Sequence, residues 1–302
     1  MRYLWIVLLF AIIFIIATLS NTNTVILDGR HNKASIQRII SLSPNITETL
    51  FSLGLGDKVV GVSHYCDYPE QALALPKAGD LINPNLEAIV KLAPDLVILS
   101  AKQTRTIAQL QQLNIATLGV ESSRFTDVLD TIKIIGDMTQ HQAQAAQLLA
   151  SMNAKISLIK QKVAHRPRPT VMLTLGHSTN SAQINTLYIA GQQDFYNDLI
   201  QLAGGENSYT NSQISVPTLS IEGIIQLNPQ IIIDVFPEAD DHSSDLKHVM
   251  KQWKNLHYLD AIKTNRVHII EQNYATIPGP RLIQLLDDLA RLIHPEINWD
   301  LH

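Results

Sequence analysis

The chain has 302 residues, of which 46% are hydrophobic and 17% are charged, and its formal net charge at pH 7 is −4. This composition is typical of a folded globular protein with room for one large or two medium-sized domains, and it excludes an intrinsically disordered chain. The slightly acidic balance gives no attraction for nucleic acid, and the single cysteine, Cys66, excludes an internal disulfide.

An apolar run from Leu4 to Leu19 follows the positively charged residue Arg2, and polar residues 20–24 come after it. This run is long for the apolar part of a signal peptide and short for a membrane-spanning helix, which needs about 20 residues. We therefore expect export to the periplasm. Residues 1–24 are expected to be a signal peptide or an N-terminal membrane anchor, with residues 4–19 as the tether in the second case.

Buried strands alternate with amphipathic helices between residues 36 and 138. Ser43 is the expected N-cap of the first helix, and Pro44 occupies its first position. Strands that alternate with helices predict a parallel sheet covered on both faces. The predicted strands span residues 38–42, 59–62, 96–99 and 115–120, and the predicted helices span 44–53, 86–92, 104–113 and 125–138.

Residues 139–165 interrupt this alternation, because no glycine or proline occurs between Thr139 and Ala164. We predict one long linking helix of roughly 35–40 Å, which would join two lobes and permit only a small closing motion. Its predicted apolar stripe consists of Ala143, Ala146, Leu149, Ala150, Ile156, Ile159 and Val163.

The alternation resumes at residue 166 and continues to residue 302, with strands predicted over 170–175, 231–233 and 267–270 and helices over 194–203 and 280–293. Residues 85–98 match residues 220–233 in register, with a polar cap, an acid, a leucine, a proline and an apolar strand in the same places. The predicted fold is therefore α/β, with two related lobes containing mostly parallel sheets and joined by one long helix.

Three segments carry a more specific resemblance, namely Arg38 to Glu48, Val60 to Pro69 and Asn85 to Ile89, together with Pro278-Gly279-Pro280-Arg281. The chain resembles the helical-backbone receptors of ABC importers for cobalamin, ferric siderophores and haem, and most of all the cobalamin receptors among them. The resemblance extends from about Arg38 to the end of the chain. It implies a class III periplasmic binding protein fold and a monomer that delivers its ligand to an inner-membrane permease dimer.

The resemblance implies ligand contacts in a cleft between the lobes, at Asn45, Tyr65, Leu81, Val216 and Tyr274. The two tyrosines would stack on a flat corrin or porphyrin. Leu81 and Val216 stand where the cobalamin receptors carry tryptophans, which reduces the stacking surface. We expect cobalamin or another metal chelate as the ligand and no cofactor of the protein's own, with a ferric siderophore or haem as the alternative.

Glu87 and Glu222 occupy equivalent places in the two matching segments. The resemblance implies that each acid docks onto arginines of the permease. An acid in the first turn of a helix is also favoured by about 0.3–1 kcal/mol through the helix dipole, so either acid alone has a structural explanation. One acid per lobe favours docking.

A metal site and an enzyme are both disfavoured by the spacing of the reactive residues. His64 and Cys66 have no partners at metal-ligand spacing. The chain contains no phosphate-binding loop, no G-x-S-x-G elbow and no H-E-x-x-H motif. The alternative from another class is a membrane-anchored sensor or partner-binding protein.

Overall fold

The computed structural model describes residues 36–80, 82–176, 184–211, 213–236 and 243–300. Residues 1–24, for which a signal peptide or an anchor is expected, and Leu81 lie outside the described residues.

The first sheet consists of four parallel strands, in the order β2-β1-β3-β4. The strands are β1 (Ile39–Ser41), β2 (Val59–Val62), β3 (Leu96–Ser100) and β4 (Thr117–Val120). The helices of this half are α1 (Pro44–Ser52), α2 (Leu86–Lys91), α3 (Thr104–Gln112) and α4 (Phe125–Met138). Every residue of β1 and β4 is buried, as expected for strands that are covered on both faces.

The long helix is α5 (Gln142–Val163), which has 22 residues and so extends about 33 Å at 1.5 Å per residue. Its buried residues are Ala145, Met152, Ile156, Ile159 and Val163. The predicted stripe is therefore right for the second half of the helix and wrong for the first half, where Ala143, Ala146 and Ala150 are exposed. Small alanine side chains contribute little to the choice of the buried face, whereas Met152 fills space in the core.

The second sheet is also parallel, in the order β10-β9-β5-β7. Its strands are β5 (Thr170–Thr174), β7 (Glu206–Asn207), β9 (Ile231–Val235) and β10 (Val267–Ile270), while β6 (Thr186–Tyr188) and β8 (Thr218–Ser220) form an antiparallel ribbon. The helices are α6 (Phe195–Leu202), α7 (Ile221–Leu227), α8 (Ser243–Lys254), α9 (Asp260–Lys263) and α10 (Leu282–Ile293).

The structure confirms that the two halves are related. The strand orders coincide when β1, β2, β3 and β4 are matched with β5, β7, β9 and β10. Helices α2 and α7 begin with the same cap, since the side chains of Asn85 and Ser220 each accept a hydrogen bond from the backbone N–H three residues later. Both helices are also followed by a residue with positive φ, 44° at Ala93 and 38° at Asn228.

Apolar side chains from both halves form one continuous core. This cluster contains Ile39 and Leu96 of the first sheet, Ile156 of α5, Leu173 of the second sheet and Leu285 of α10. Because the two halves share a core in addition to the linking helix, their relative position is fixed by packing over a wide area.

Candidate ligand-binding cleft

Polar side chains follow the strands of the first sheet at their carboxyl ends, where open α/β sheets bind ligands. A cavity of about 260 Å³ lies there, and we call it the cleft cavity. The second half of the chain closes it with the segment after β10. The residues that line the cleft cavity are Ser43, Pro44, Asn45, Ile46, Ser100, Val120, Ser122, Thr276, Ile277 and Pro278.

Asn45 lies in the first turn of α1 and is almost completely buried. Its side-chain oxygen accepts a hydrogen bond from the Ser43 hydroxyl. Beneath it, the Thr47 hydroxyl lies 2.7 Å from Ser41 Oγ and 3.1 Å from Cys66 Sγ. The Asn45 amide N–H groups make no hydrogen bond among the described residues, so they are available to a ligand in the cleft cavity.

Tyr65 follows β2, at the same edge of the sheet, and 66% of its surface is exposed. Its loop is held by backbone hydrogen bonds from Ser63 N–H to the Ser41 carbonyl (3.0 Å) and from His64 N–H to the Gly79 carbonyl (2.9 Å). An exposed aromatic ring on a fixed loop can stack on a flat ligand with little loss of conformational entropy.

Tyr274 lies just before the residues that line the cleft cavity but is directed elsewhere. Its hydroxyl donates a hydrogen bond of 2.5 Å to the Asp288 carboxylate on α10. Burial, together with this carboxylate, raises the pKa of the Tyr274 hydroxyl. The ring borders a separate cavity between α5 and α10 that also contains Lys155.

Of the predicted ligand contacts that the structure describes, Asn45 lines the cleft cavity, whereas Tyr65, Tyr274 and Val216 do not. Val216 is exposed in the segment just before β8 and is not among the residues that line the cleft cavity. Leu81 lies outside the described residues.

A buried ion pair joins the two halves beside the cleft cavity. Arg281, at the start of α10, donates two hydrogen bonds to the carboxylate of Glu48 on α1, at 3.0 Å and 2.5 Å. Burial raises the pKa of Glu48, and the hydrogen bonds from Arg281 oppose this rise. The same guanidinium stacks on the ring of Tyr68, 3.8 Å from its centroid. The pair therefore holds α1 of the first half against the start of α10 in the second half.

A second ion pair joins the halves at the start of α4. The Arg124 guanidinium donates to both oxygens of Asp198 on α6, one of them at 2.9 Å. Asp198 also accepts a hydrogen bond of 2.9 Å from the backbone N–H of Phe125, so it caps α4 from the other half of the molecule. These contacts resist separation of the two halves.

Glu87 and Glu222 are both exposed, in the first turns of α2 and α7. Neither forms an ion pair with another described residue. The Ser220 hydroxyl donates a hydrogen bond of 2.7 Å to Glu222, which lowers the pKa of this carboxyl. Both acids are therefore accessible to a cationic partner.

Among the described residues, no group of three or more His, Cys, Asp or Glu side chains is arranged to hold a metal ion. The search for membrane-crossing helices covered the same part of the chain, and it found none that is long and apolar enough.

Sequence reasoning missed several residues that line the cleft cavity, namely Ser100, Ser122 and Thr276. Ser100 and Ser122 carried a usable signal, because each is a polar residue at or just after the end of a predicted apolar strand. Thr276 carried no such signal, since its place depends on how the two halves pack.

A model of the family described as "Periplasmic binding protein" matches residues 39–274. The ABC transporter substrate-binding lipoprotein YvrC of Bacillus subtilis is 28% identical over 272 residues, which are 87% of this chain and 82% of that relative. A vitamin B12-binding protein of Vibrio cholerae is 27% identical over 266 residues, which are 84% of this chain and 88% of the relative.

Two solved structures share the fold. A possible iron-binding (periplasmic solute-binding) protein from Staphylococcus epidermidis matches 86% of this chain and 100% of its own, with 28% identity and a TM-score of 0.71. The periplasmic haem-binding protein RhuT from Roseiflexus matches 87% of this chain and 99% of its own, with 25% identity and a TM-score of 0.72.

Proposed function

Because this chain belongs to the periplasmic binding protein family, we propose that it is the substrate-binding component of an ABC importer and binds cobalamin or a related corrinoid. The observation that supports this proposal is the cleft cavity, which is lined by residues of both halves at the carboxyl edge of the first sheet. The relatives named vitamin B12-binding protein support a corrinoid as the ligand.

The size of the cleft cavity limits how such a ligand binds. At about 260 Å³ it is smaller than most small-molecule pockets, which measure roughly 300–1,000 Å³. A corrin ring must therefore extend beyond the cavity, and in the proposed complex its outer part contacts the exposed ring of Tyr65 at the same edge of the sheet. In this arrangement Asn45 and Ser122 contact polar groups at the edge of the ligand, and Tyr65 stacks on its face.

The proposal is tested by isothermal titration of the chain lacking residues 1–24 with cyanocobalamin, haemin and a ferric siderophore. We expect one-to-one binding of cyanocobalamin. Tyr65→Ala should weaken it about tenfold, because stacking of this kind contributes on the order of 1 kcal/mol. The control is Tyr258→Ala, which removes an exposed tyrosine near α9 and should leave the affinity unchanged.

The same titration separates the alternatives. Binding of haemin or the siderophore without binding of cyanocobalamin would keep the import role and change the ligand, in line with the haem-binding and iron-binding proteins of the same fold. No binding of any of the three would contradict the proposal and favour a membrane-anchored sensor or partner-binding protein.

The partner in this proposal is an inner-membrane permease dimer, which the protein binds through Glu87 and Glu222. The protein acts as a monomer in the periplasm. Residues 1–24 direct its export to the periplasm or anchor it in the inner membrane. The lobes correspond to residues 36–138 and 166–302, and residues 139–165 link them. Both acids are exposed and unpaired among the described residues, which supports docking onto permease cations.

A further inference from the structure

Each of the two proposed docking helices carries an exposed aliphatic side chain three residues after its acid. Val90 follows Glu87 on α2 and is 49% exposed, and Ile225 follows Glu222 on α7 and is 44% exposed. The residues just before them, Ile89 and Ile224, are completely buried. Exposure of Val90 and Ile225 is therefore a property of one face of each helix.

The acid and the aliphatic residue lie side by side on that face. Residues three positions apart on a helix are neighbours on its surface. Since Ile89 and Ile224 anchor the opposite face in the core, each helix presents a carboxylate and an apolar side chain together to the solvent. We call Glu87 with Val90, and Glu222 with Ile225, the two docking patches.

The two docking patches are equivalent in the fold as well as in the sequence. Helices α2 and α7 start with equivalent side-chain caps, are followed by a residue with positive φ and lead into the matching strands β3 and β9. Two equal patches on a single chain fit a partner that offers two equal sites, such as the two subunits of a dimeric permease.

We propose that Val90 and Ile225 contact the permease, one in each subunit, where each fills an apolar depression beside the cation that pairs with the neighbouring acid. This inference rests on the proposed function, because it takes the permease dimer as the partner. Exposed ion pairs contribute little affinity by themselves and set orientation and association rate. Aliphatic surface that is buried next to such pairs adds affinity that salt does not screen.

The test measures binding of the full-length receptor, loaded with cyanocobalamin, to its permease in lipid nanodiscs, together with stimulation of ATP hydrolysis. We expect the double variant Val90→Ser, Ile225→Ser to raise the dissociation constant at least tenfold and to lower the stimulation accordingly. The control is Leu113→Ser at the end of α3, which removes a comparably exposed (48%) aliphatic side chain outside the docking patches and should change neither value.

Salt concentration and the acid variants separate this inference from the docking proposal itself. Raising the salt to about 0.5 M should weaken the effect of Glu87→Gln, Glu222→Gln, since exposed charges are screened, and should leave the effect of the serine variant in place. Loss of binding in the glutamine variant alone would overturn the inference and keep acid docking. Full binding by both variants would overturn both.

One further outcome decides against the inference. If the serine variant loses affinity equally for empty nanodiscs, the two side chains contact lipid and not the permease. If it fails to bind cyanocobalamin, its fold is damaged, and the milder double variant Val90→Ala, Ile225→Ala decides the test in its place. Unchanged ligand affinity together with weaker permease binding supports a direct contact.

Discussion

At the scale of single residues, Glu48 illustrates how much the cleft depends on one distant partner. Its carboxylate is buried and receives both hydrogen bonds from Arg281. Removing one partner of a buried ion pair leaves an uncompensated charge in the interior, which costs about 3–5 kcal/mol. The sequence separation of 233 positions explains why no sequence pattern indicates the pair.

We therefore expect Arg281→Met to lower the free energy of unfolding at pH 7 by about 3–5 kcal/mol. Burial already raises the pKa of Glu48, and loss of Arg281 raises it further, so the variant should regain stability as the pH falls and the carboxyl becomes protonated. Urea unfolding at pH 7 and pH 5 measures both effects.

The control for this variant is Arg291→Met, which removes an exposed arginine that pairs with Asp287 and Asp300. This substitution should lower the free energy of unfolding by no more than about 1 kcal/mol. Equal losses in the free energy of unfolding for the two variants at both pH values would contradict a stabilising role of the buried Arg281–Glu48 pair.

Asp194 makes a separate contribution to the pH dependence of stability. Burial raises its pKa to about 6, while a hydrogen bond from the backbone N–H of Tyr196 opposes the rise. An acid with a raised pKa in the folded state holds a proton that the unfolded chain has released, so stability falls as the pH rises from about 4 to about 6.

Asp194→Asn keeps the cap on α6 and removes this titration. We expect the variant to be more stable than the wild type at pH 7.5 by about 1 to 3 kcal/mol and similar to it at pH 4. Thermal unfolding across this pH range measures the difference, with Asp57→Asn at an exposed position as the control. This account would be contradicted if the melting temperature of the wild type rose from pH 4 to pH 6 in parallel with that of Asp194→Asn.

At the scale of the elements, the close approach of α4 to α5 depends on a residue without a side chain. A Cβ atom at Gly136 would lie 2.5 Å from Ala145 Cβ and 3.2 Å from the His141 carbonyl oxygen. We expect Gly136→Ala to lower the free energy of unfolding by about 1–3 kcal/mol, because the packed helices must separate.

The matched substitution is Gly223→Ala in α7. There the new Cβ would meet only the Leu219 side chain, at 3.3 Å or more. Alanine should be tolerated or stabilise the helix by up to about 1 kcal/mol, as it does in helix interiors generally. Thermal unfolding compares the two variants, and equal melting temperatures would refute the packing explanation.

The elements also show what the sequence can predict. Helices α2 and α4 lie within a residue of their predicted ends, because caps, prolines and apolar spacing all act locally. Helix α8 was missed, although Val249 and Trp253 are four residues apart and completely buried. The prediction of the buried face of α5 was right only for its second half. The alanines at the start of α5 fit either face, and the close contact with Gly136 selects Ala145 as the buried one.

At the scale of the whole molecule, the two halves behave as one packed body. They share a continuous core, the linking helix α5 and two ion pairs on different elements. We expect this arrangement to permit only a small closing motion between the halves. Cleft residues from the first half were partly predictable from strand ends, whereas the contribution of residues 276–278 follows only from the packing of the halves.

The central claim is that cobalamin or a related corrinoid binds between the two halves. It is tested most directly by titrating cyanocobalamin into the wild type, Ser122→Trp and Thr276→Trp, with circular dichroism to verify folding. Each tryptophan fills the cleft cavity from a different half. We predict that both folded variants lose affinity by about 100-fold or more, or roughly 3 kcal/mol. Wild-type affinity in either folded variant would contradict a site shared by the two halves.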